Sequence, residues 1–190
     1  MHEENQYQIV ISGVGGQGVL FITRLLAEAA IQKGLPVFTS ETHGMAQRGG
    51  TVISHLKIGD FASPLISPGN ADGLIALKAE SLDQHGGYLK PGGWAVINGP
   101  APPTMEETAR LYYLDADRLA REMDDPRSVN LIMLGFALAR ARRGAFGHDG
   151  LYCSPHDVEA VLETRLKGKN HRRQASLRAL KAGAESAPAA

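Results

Sequence analysis

The chain predicts an α/β fold: a single Rossmann-like domain with a mostly parallel sheet and helices on both faces. Three observations carry this. Apolar, strand-like runs alternate with helical segments along the chain, the pattern that builds parallel sheets. A glycine-rich turn, Gly13-Val14-Gly15-Gly16-Gln17-Gly18, joins the first run to the first amphipathic segment. Glycines at that spacing permit a tight strand-to-helix turn and leave amide N–H groups open to a close neighbour. The length, 190 residues, suits one core, and neither linker nor internal repeat divides it. The domain is expected over residues 1–182, with a flexible tail at 183–190.

Each element has its own signal. Tyr7 to Ser12 is an apolar first strand, and Val19 to Lys33 an amphipathic helix that stops at Gly34. Leu35 to Thr39 reads as a second strand, its proline tolerated near a strand start, and completes a βαβ unit. Thr51 to Ile58 is β-rich with an approximate period of two and ends at the Gly59-Asp60 turn. Gly73 to Leu77 predicts a buried strand, Ala79 to His85 a short helix, and Trp94 to Asn98 another strand after the Lys90-Pro91-Gly92-Gly93 turn. Pro100 to Pro103 is expected to be loop, Arg110 to Leu114 an edge strand, and Ala116 to Met123 a helix ended by Asp124-Asp125-Pro126. Asn130 to Arg143 is apolar around most of its circumference, so it is buried on several sides, within the domain or against a partner. Ser154-Pro155-His156-Asp157 supplies an N-cap, a proline at the first helical position and a first-turn acid for a helix running to about Lys167. Lys167 to Lys181 is basic and helical, and Ala182 to Ala190 is expected to fray.

Composition excludes some functions. Lys plus Arg equals Asp plus Glu, 20 of each, so the chain has no polyanion-binding charge balance and neither a nucleic-acid nor a membrane partner is expected. It contains no 18-residue apolar run and no export signal at Met1 to Gln6, so a cytoplasmic location is expected. A single cysteine, Cys153, allows no internal disulfide and cannot supply the four thiolates of an iron–sulfur cluster.

A second glycine-containing segment, Glu41-Thr42-His43-Gly44-Met45-Ala46-Gln47-Arg48-Gly49-Gly50, joins strands two and three. Loops on the carboxyl side of a parallel sheet line the ligand crevice, and the first glycine loop emerges on that side too, so both are expected to converge there. The two motifs together resemble the gamma-type domain of the 2-oxoacid:ferredoxin oxidoreductases, nearest in pattern to the variety acting on indolepyruvate. The likeness continues through Ser63-Pro64-Leu65-Ile66, Ala71-Asp72, Pro91-Gly92-Gly93, Asn98 and Asn130-Leu131-Ile132-Met133-Leu134-Gly135.

The resemblance implies oxidative decarboxylation of a 2-oxoacid on thiamine diphosphate. Electrons would leave through iron–sulfur clusters to ferredoxin or a similar acceptor, and coenzyme A would take the acyl group. It implies a supporting role for this chain, with thiamine diphosphate, Mg2+ and the clusters on larger companion subunits. The candidate cofactor-side residues are Gly13, Gly15, Gly16, Gln17, Gly18, Glu41, His43, Gln47, Arg48, Gly49 and Gly50. No catalytic or metal-binding residue is assigned.

Each candidate also has a purely structural reading. The glycines serve turn geometry as well as ligand approach. Gln17 hydrogen-bonds either a neighbouring loop or a substrate. Arg48 pairs with Glu41 or meets an anionic group of coenzyme A or substrate. His43 is a loop hydrogen-bonding residue or a proton carrier. Asn98 reads as a turn residue, Asn130 as a helix N-cap, and Cys153 as small apolar filler. The basic C-terminal segment is a solvated face or a docking surface. A competing function is an autonomous NAD(P)-dependent dehydrogenase, with Gly13 to Gly18 on the pyrophosphate and Glu41 on the ribose. A scaffold relative without enzymatic partners is the third.

Overall fold

The computed structural model describes residues 6–43, 50–99, 110–142 and 151–187. Six strands form one sheet: β1 (Tyr7–Val14), β2 (Val37–His43), β3 (Thr51–Ile58), β4 (Ala71–Ala76), β5 (Leu89–Asn98) and β6 (Arg110–Leu114), in the order β2-β3-β1-β4-β5-β6. Among the described residues six α-helices accompany them: α1 (Val19–Gln32), α2 (Glu80–His85), α3 (Ala116–Glu122), α4 (Val129–Arg142), α5 (Pro155–Arg165) and α6 (Asn170–Glu185). The α/β, mostly parallel architecture is therefore as expected, with one strand against the grain.

That strand is β3. It pairs antiparallel with both β1 and β2, whereas β1–β4, β4–β5 and β5–β6 are parallel. The expected βαβ unit of adjacent β1 and β2 is corrected here: α1 carries the chain past a vacant position, and β3 returns as a hairpin partner to fill it. Antiparallel neighbours need only a short connection, while parallel ones need a crossover. The segment between His43 and Gly50 is that short connection.

Alternation along the strands sorts the core into two layers. Ile9 and Ile11 of β1, Ile75 of β4 and Trp94 and Val96 of β5 face α1, α3, α4, α5 and α6, while Val10, Leu74, Ala95 and Ile97 face a smaller cluster with Leu82 of α2 and Ile66. Both faces carry helices, unequally. On the thin face, His55 of β3 accepts the Ile66 N–H through Nδ1 at 3.3 Å, and His85 Nδ1 lies 2.8 Å from Ser12 Oγ. Tyr88 bridges the two rings.

α4 is buried within the domain itself, chiefly by α6, α3 and β5. Gly135 and Gly183 let α4 and α6 cross with their backbones nearly in contact. A Cβ on Gly135 would stand 2.0 Å from the Leu180 carbonyl oxygen, and one on Gly183 1.9 Å from that of Ile132. α5 begins as its residues dictate: the Ser154 hydroxyl accepts the Asp157 N–H, Asp157 accepts the Ser154 N–H at 2.7 Å, and Pro155 follows the cap. α6 continues through the expected fraying point to Glu185, and Ala187 is buried, because the Gly183 crossing anchors its last turns. The expected loop at Pro100 to Pro103 lies outside the described residues.

Candidate functional site

The glycine turn leaves β1 at Val14 and enters α1 at Val19. Its conformation needs glycine at Gly16 (φ 94°) and Gly18 (φ 81°), both in the left-handed region. Gly13 answers a different demand. A Cβ there would press on Gln17 Oε1 at 2.8 Å and Leu77 Cβ at 3.1 Å.

Gln17 is folded back over Gly13 as a latch. Its Oε1 accepts the Val14 N–H at 2.9 Å, and its Nε2 donates to the Leu77 carbonyl at 3.3 Å. Leu77 follows β4, and its own N–H donates to the Ser12 carbonyl at 2.8 Å. The Leu77 oxygen also accepts Asn98 Nδ2 at 3.1 Å, while Asn98 Oδ1 accepts the Ala116 N–H at 3.0 Å and Nδ2 reaches Asp117 at 2.8 Å. Asn98 is thus a buried hub at the end of β5 joining β4 to the start of α3, where sequence had suggested a simple turn residue. These bonds tie the carboxyl ends of β1, β4 and β5 into one rigid rim.

The same network bears on dinucleotide binding. In doubly wound sheets that ligand enters where strand order reverses, here between β1 and β4. The Gln17 amide spans that gap. Glu41 lies in β2 and is exposed, and β3 stands between it and β1, a displacement of about 10 Å at ordinary strand spacing. The acid is therefore not on the strand beside the glycine turn, where a ribose hydroxyl would meet it.

The second segment arrives at the same rim. Gly15 donates its N–H to the Gly50 carbonyl at 3.1 Å, and Val14 pairs with Thr51. Gly50 therefore borders the glycine turn, while residues 41–43 stand one strand further out, beyond β3. The His43 side chain, Gln47, Arg48 and Gly49 lie outside the described residues, and with them the choice between an Arg48–Glu41 pair and a free Arg48.

Asn130 also comes to this rim. It sits inside the first turn of α4, not at its cap, and is only 7% exposed. Its Oδ1 accepts the Leu131 N–H at 2.8 Å, and its Nδ2 faces Gly18, where a Cβ would come within 2.1 Å of it. Sequence reasoning missed this contact; its one trace was a glycine where a helix cap is usually polar.

No group of three or more His, Cys, Asp or Glu side chains among the described residues could hold a metal ion. Cys153 is 5% exposed, and burial pushes its thiol up to about 12, which suits packing and not metal ligation. Nothing among the described residues fits a Mg2+–diphosphate site, and one cysteine cannot supply the four thiolates of an iron–sulfur cluster. Among the described residues no helix is long and apolar enough to cross a membrane.

Comparison with known proteins agrees with this geometry. The family described as pyruvate ferredoxin/flavodoxin oxidoreductase matches residues 8–186. The chain is 33% identical to the indolepyruvate oxidoreductase subunit IorB of Archaeoglobus fulgidus, over 92% of each protein. Among solved structures it resembles the gamma subunit of a keto/oxoacid ferredoxin oxidoreductase from Geobacter sulfurreducens, with TM-score 0.70, 24% identity and coverage of 94% and 96% of the two chains. It also resembles the 2-oxoglutarate:ferredoxin oxidoreductase of Magnetococcus marinus solved with 2-oxoglutarate, coenzyme A and succinyl-CoA, with TM-score 0.76 and 24% identity. The match covers 99% of this chain but spans only 32% of that one, and at such identities both structures speak for the fold. The chain belongs to the gamma-type subunit family of the 2-oxoacid:ferredoxin oxidoreductases and is a subunit of such an enzyme complex.

Proposed function

We propose that the complex containing this chain oxidatively decarboxylates an aryl 2-oxoacid such as indolepyruvate, and that this chain builds the coenzyme A side of its active site. The balanced reaction takes 2-oxoacid, coenzyme A and two oxidising equivalents of ferredoxin or a similar acceptor to acyl-CoA, CO2, a proton and two equivalents of reduced acceptor. Thiamine diphosphate would supply the carbanion chemistry, held with Mg2+ and the iron–sulfur clusters by larger companion subunits. The single observation that supports the reading is the meeting of two glycine-bearing segments at one rim, joined by the Gly15–Gly50 hydrogen bond. A rim locked by Gln17 and Asn98 presents backbone without rearranging, the property wanted where a second polypeptide delivers the reacting groups. The aryl preference rests on the 33% identity to an indolepyruvate oxidoreductase subunit.

The test is purification of the native complex with thiamine and iron analysis, followed by turnover with indolepyruvate, pyruvate and 2-oxoglutarate. The reading requires both cofactors in the complex and the highest kcat/KM on indolepyruvate. Replacing Arg48 by Ala in the intact complex should raise the KM for coenzyme A about tenfold, the worth of one charge-assisted hydrogen bond. An unchanged KM in an assembled complex removes Arg48 from the site.

A further inference from the structure

The outer side of β2 is an open sheet edge. Among the described residues β2 pairs only with β3, and residues 37–42 are all exposed or half-exposed. Alternate N–H and C=O groups of such a strand point away from the sheet with no strand to meet them. Natural edges are ordinarily guarded by a lysine, a proline or a bulge. Val37-Phe38-Thr39-Ser40-Glu41-Thr42-His43 has no lysine or proline and pairs with β3 without a break in register.

The side chains beside this edge add a second, independent observation. Register sets Phe38 opposite Lys57 and Ser40 opposite His55, on the thin face that also carries Ile53. The segment after Gly59 folds back across β3 there: Phe61 covers Lys57, with Nζ 4.8 Å from the ring centroid, and Ile66 donates its N–H to His55. Of the three large apolar side chains exposed among the described residues, Phe38 and Leu65 are two, one on the strand and one on the covering segment.

Lys57 lies between them. It is only 8% exposed, yet it forms no ion pair with a described residue. Buried lysines are almost always paired, because an ammonium stripped of water is costly. The face of Phe61 offsets part of that cost, and a carboxylate arriving from outside would offset the rest. β2 itself offers none on this side. Alternation gives the thin face Phe38, Ser40 and Thr42 and turns Glu41 to the other.

We propose that the β2 edge and the patch of Phe38, Lys57, Phe61 and Leu65 dock an extended, apolar segment of a companion subunit, which adds a strand to the sheet and sets one carboxylate against Lys57 Nζ. The proposal rests on the reading that larger companion subunits share the complex, and it names the surface by which they hold this chain. Main-chain bonds along an edge supply affinity, and side chains on alternate positions supply specificity. A recessed charge ringed by apolar contacts is the arrangement that concentrates binding energy. A second copy adding its own β2 would bring Phe38, Ser40 and Thr42 to this face and leave Lys57 unpaired.

The test compares amide hydrogen exchange over residues 37–43 in the purified complex and in the isolated full chain. Alternate amides should exchange at least tenfold more slowly in the complex. Phe38→Asp and Lys57→Glu should each weaken retention of the chain by its companions tenfold or more, read by dilution and size exclusion. Lys181→Glu, exposed on α6, should leave retention unchanged. Amides that exchange equally in both states overturn the docking, whether or not a variant folds. Undiminished retention of both variants does the same, and so does protection that grows with the concentration of the isolated chain, which would give the edge to a second copy. In all three cases copurified companions leave the enzyme reading standing, whereas a chain that purifies from cells without companions overturns both.

Discussion

Gly16 and Gly18 share a left-handed backbone but differ in what surrounds them. Nothing lies within 4 Å of a Cβ built on Gly16, whereas the same atom on Gly18 meets Asn130 Nδ2 at 2.1 Å. Alanine at 16 should therefore cost only the left-handed backbone, about 1–2 kcal/mol. Alanine at 18 should cost that plus displacement of a buried carboxamide, and its urea unfolding midpoint should fall clearly below that of Gly16→Ala. Equal midpoints would mean that Asn130 moves aside freely. The spacing of these glycines was legible in the sequence because it is a local constraint on four turning residues. What Gly13 and Gly18 make room for was not: Leu77 and Asn130 lie far along the chain, and only the folded strand order brings them to the turn. Asn98 was misread for the same reason, since an asparagine at a strand end looks like a turn former until its three partners are in place.

Between α4 and α6 the usual ranking of helix formers is reversed. Alanine is normally favoured over glycine inside a helix by about 1 kcal/mol, yet a Cβ at Gly135 or Gly183 would fall about 2 Å from a backbone carbonyl of the facing helix, a collision that close-packed interiors cannot absorb without moving backbone. Gly135→Ala and Gly183→Ala should each destabilise by about 3 kcal/mol or more, measured by urea unfolding, with protection of the α6 amides from hydrogen exchange lost first. A stabilised variant would refute the crossing. The all-round apolar character of Asn130 to Arg143 foretold burial, because an exposed helix needs a polar face. It did not say which neighbour buries it. Nor did composition reveal the direction of β3: buried parallel and antiparallel strands draw on the same β-branched residues, and only the pairing distinguishes them.

Over the whole molecule the two sheet faces are unequally armoured, and the thin one carries the two histidines with lowered pKa. Burial holds both His55 and His85 below the ordinary histidine value, His55 further helped down by the neighbouring charges of His85 and Lys57. The folded state therefore prefers them neutral, while the unfolded chain protonates near 6.5. Stability should be complete above about pH 6.5 and decline as pH falls through the lowered folded values. A urea midpoint that drops between pH 7.5 and 5.5, and drops less once both histidines are replaced by glutamine, is the expected result; a flat profile in the parent would contradict it. The hairpin of β2 and β3 has a different import, for how such a scaffold changes over time. β2 and β3 are neighbours already zipped together, so the stretch of sequence joining them can lengthen, shorten or be exchanged without rerouting a crossover, at small entropic expense. A lineage can thus exchange one short cassette while every strand keeps its register.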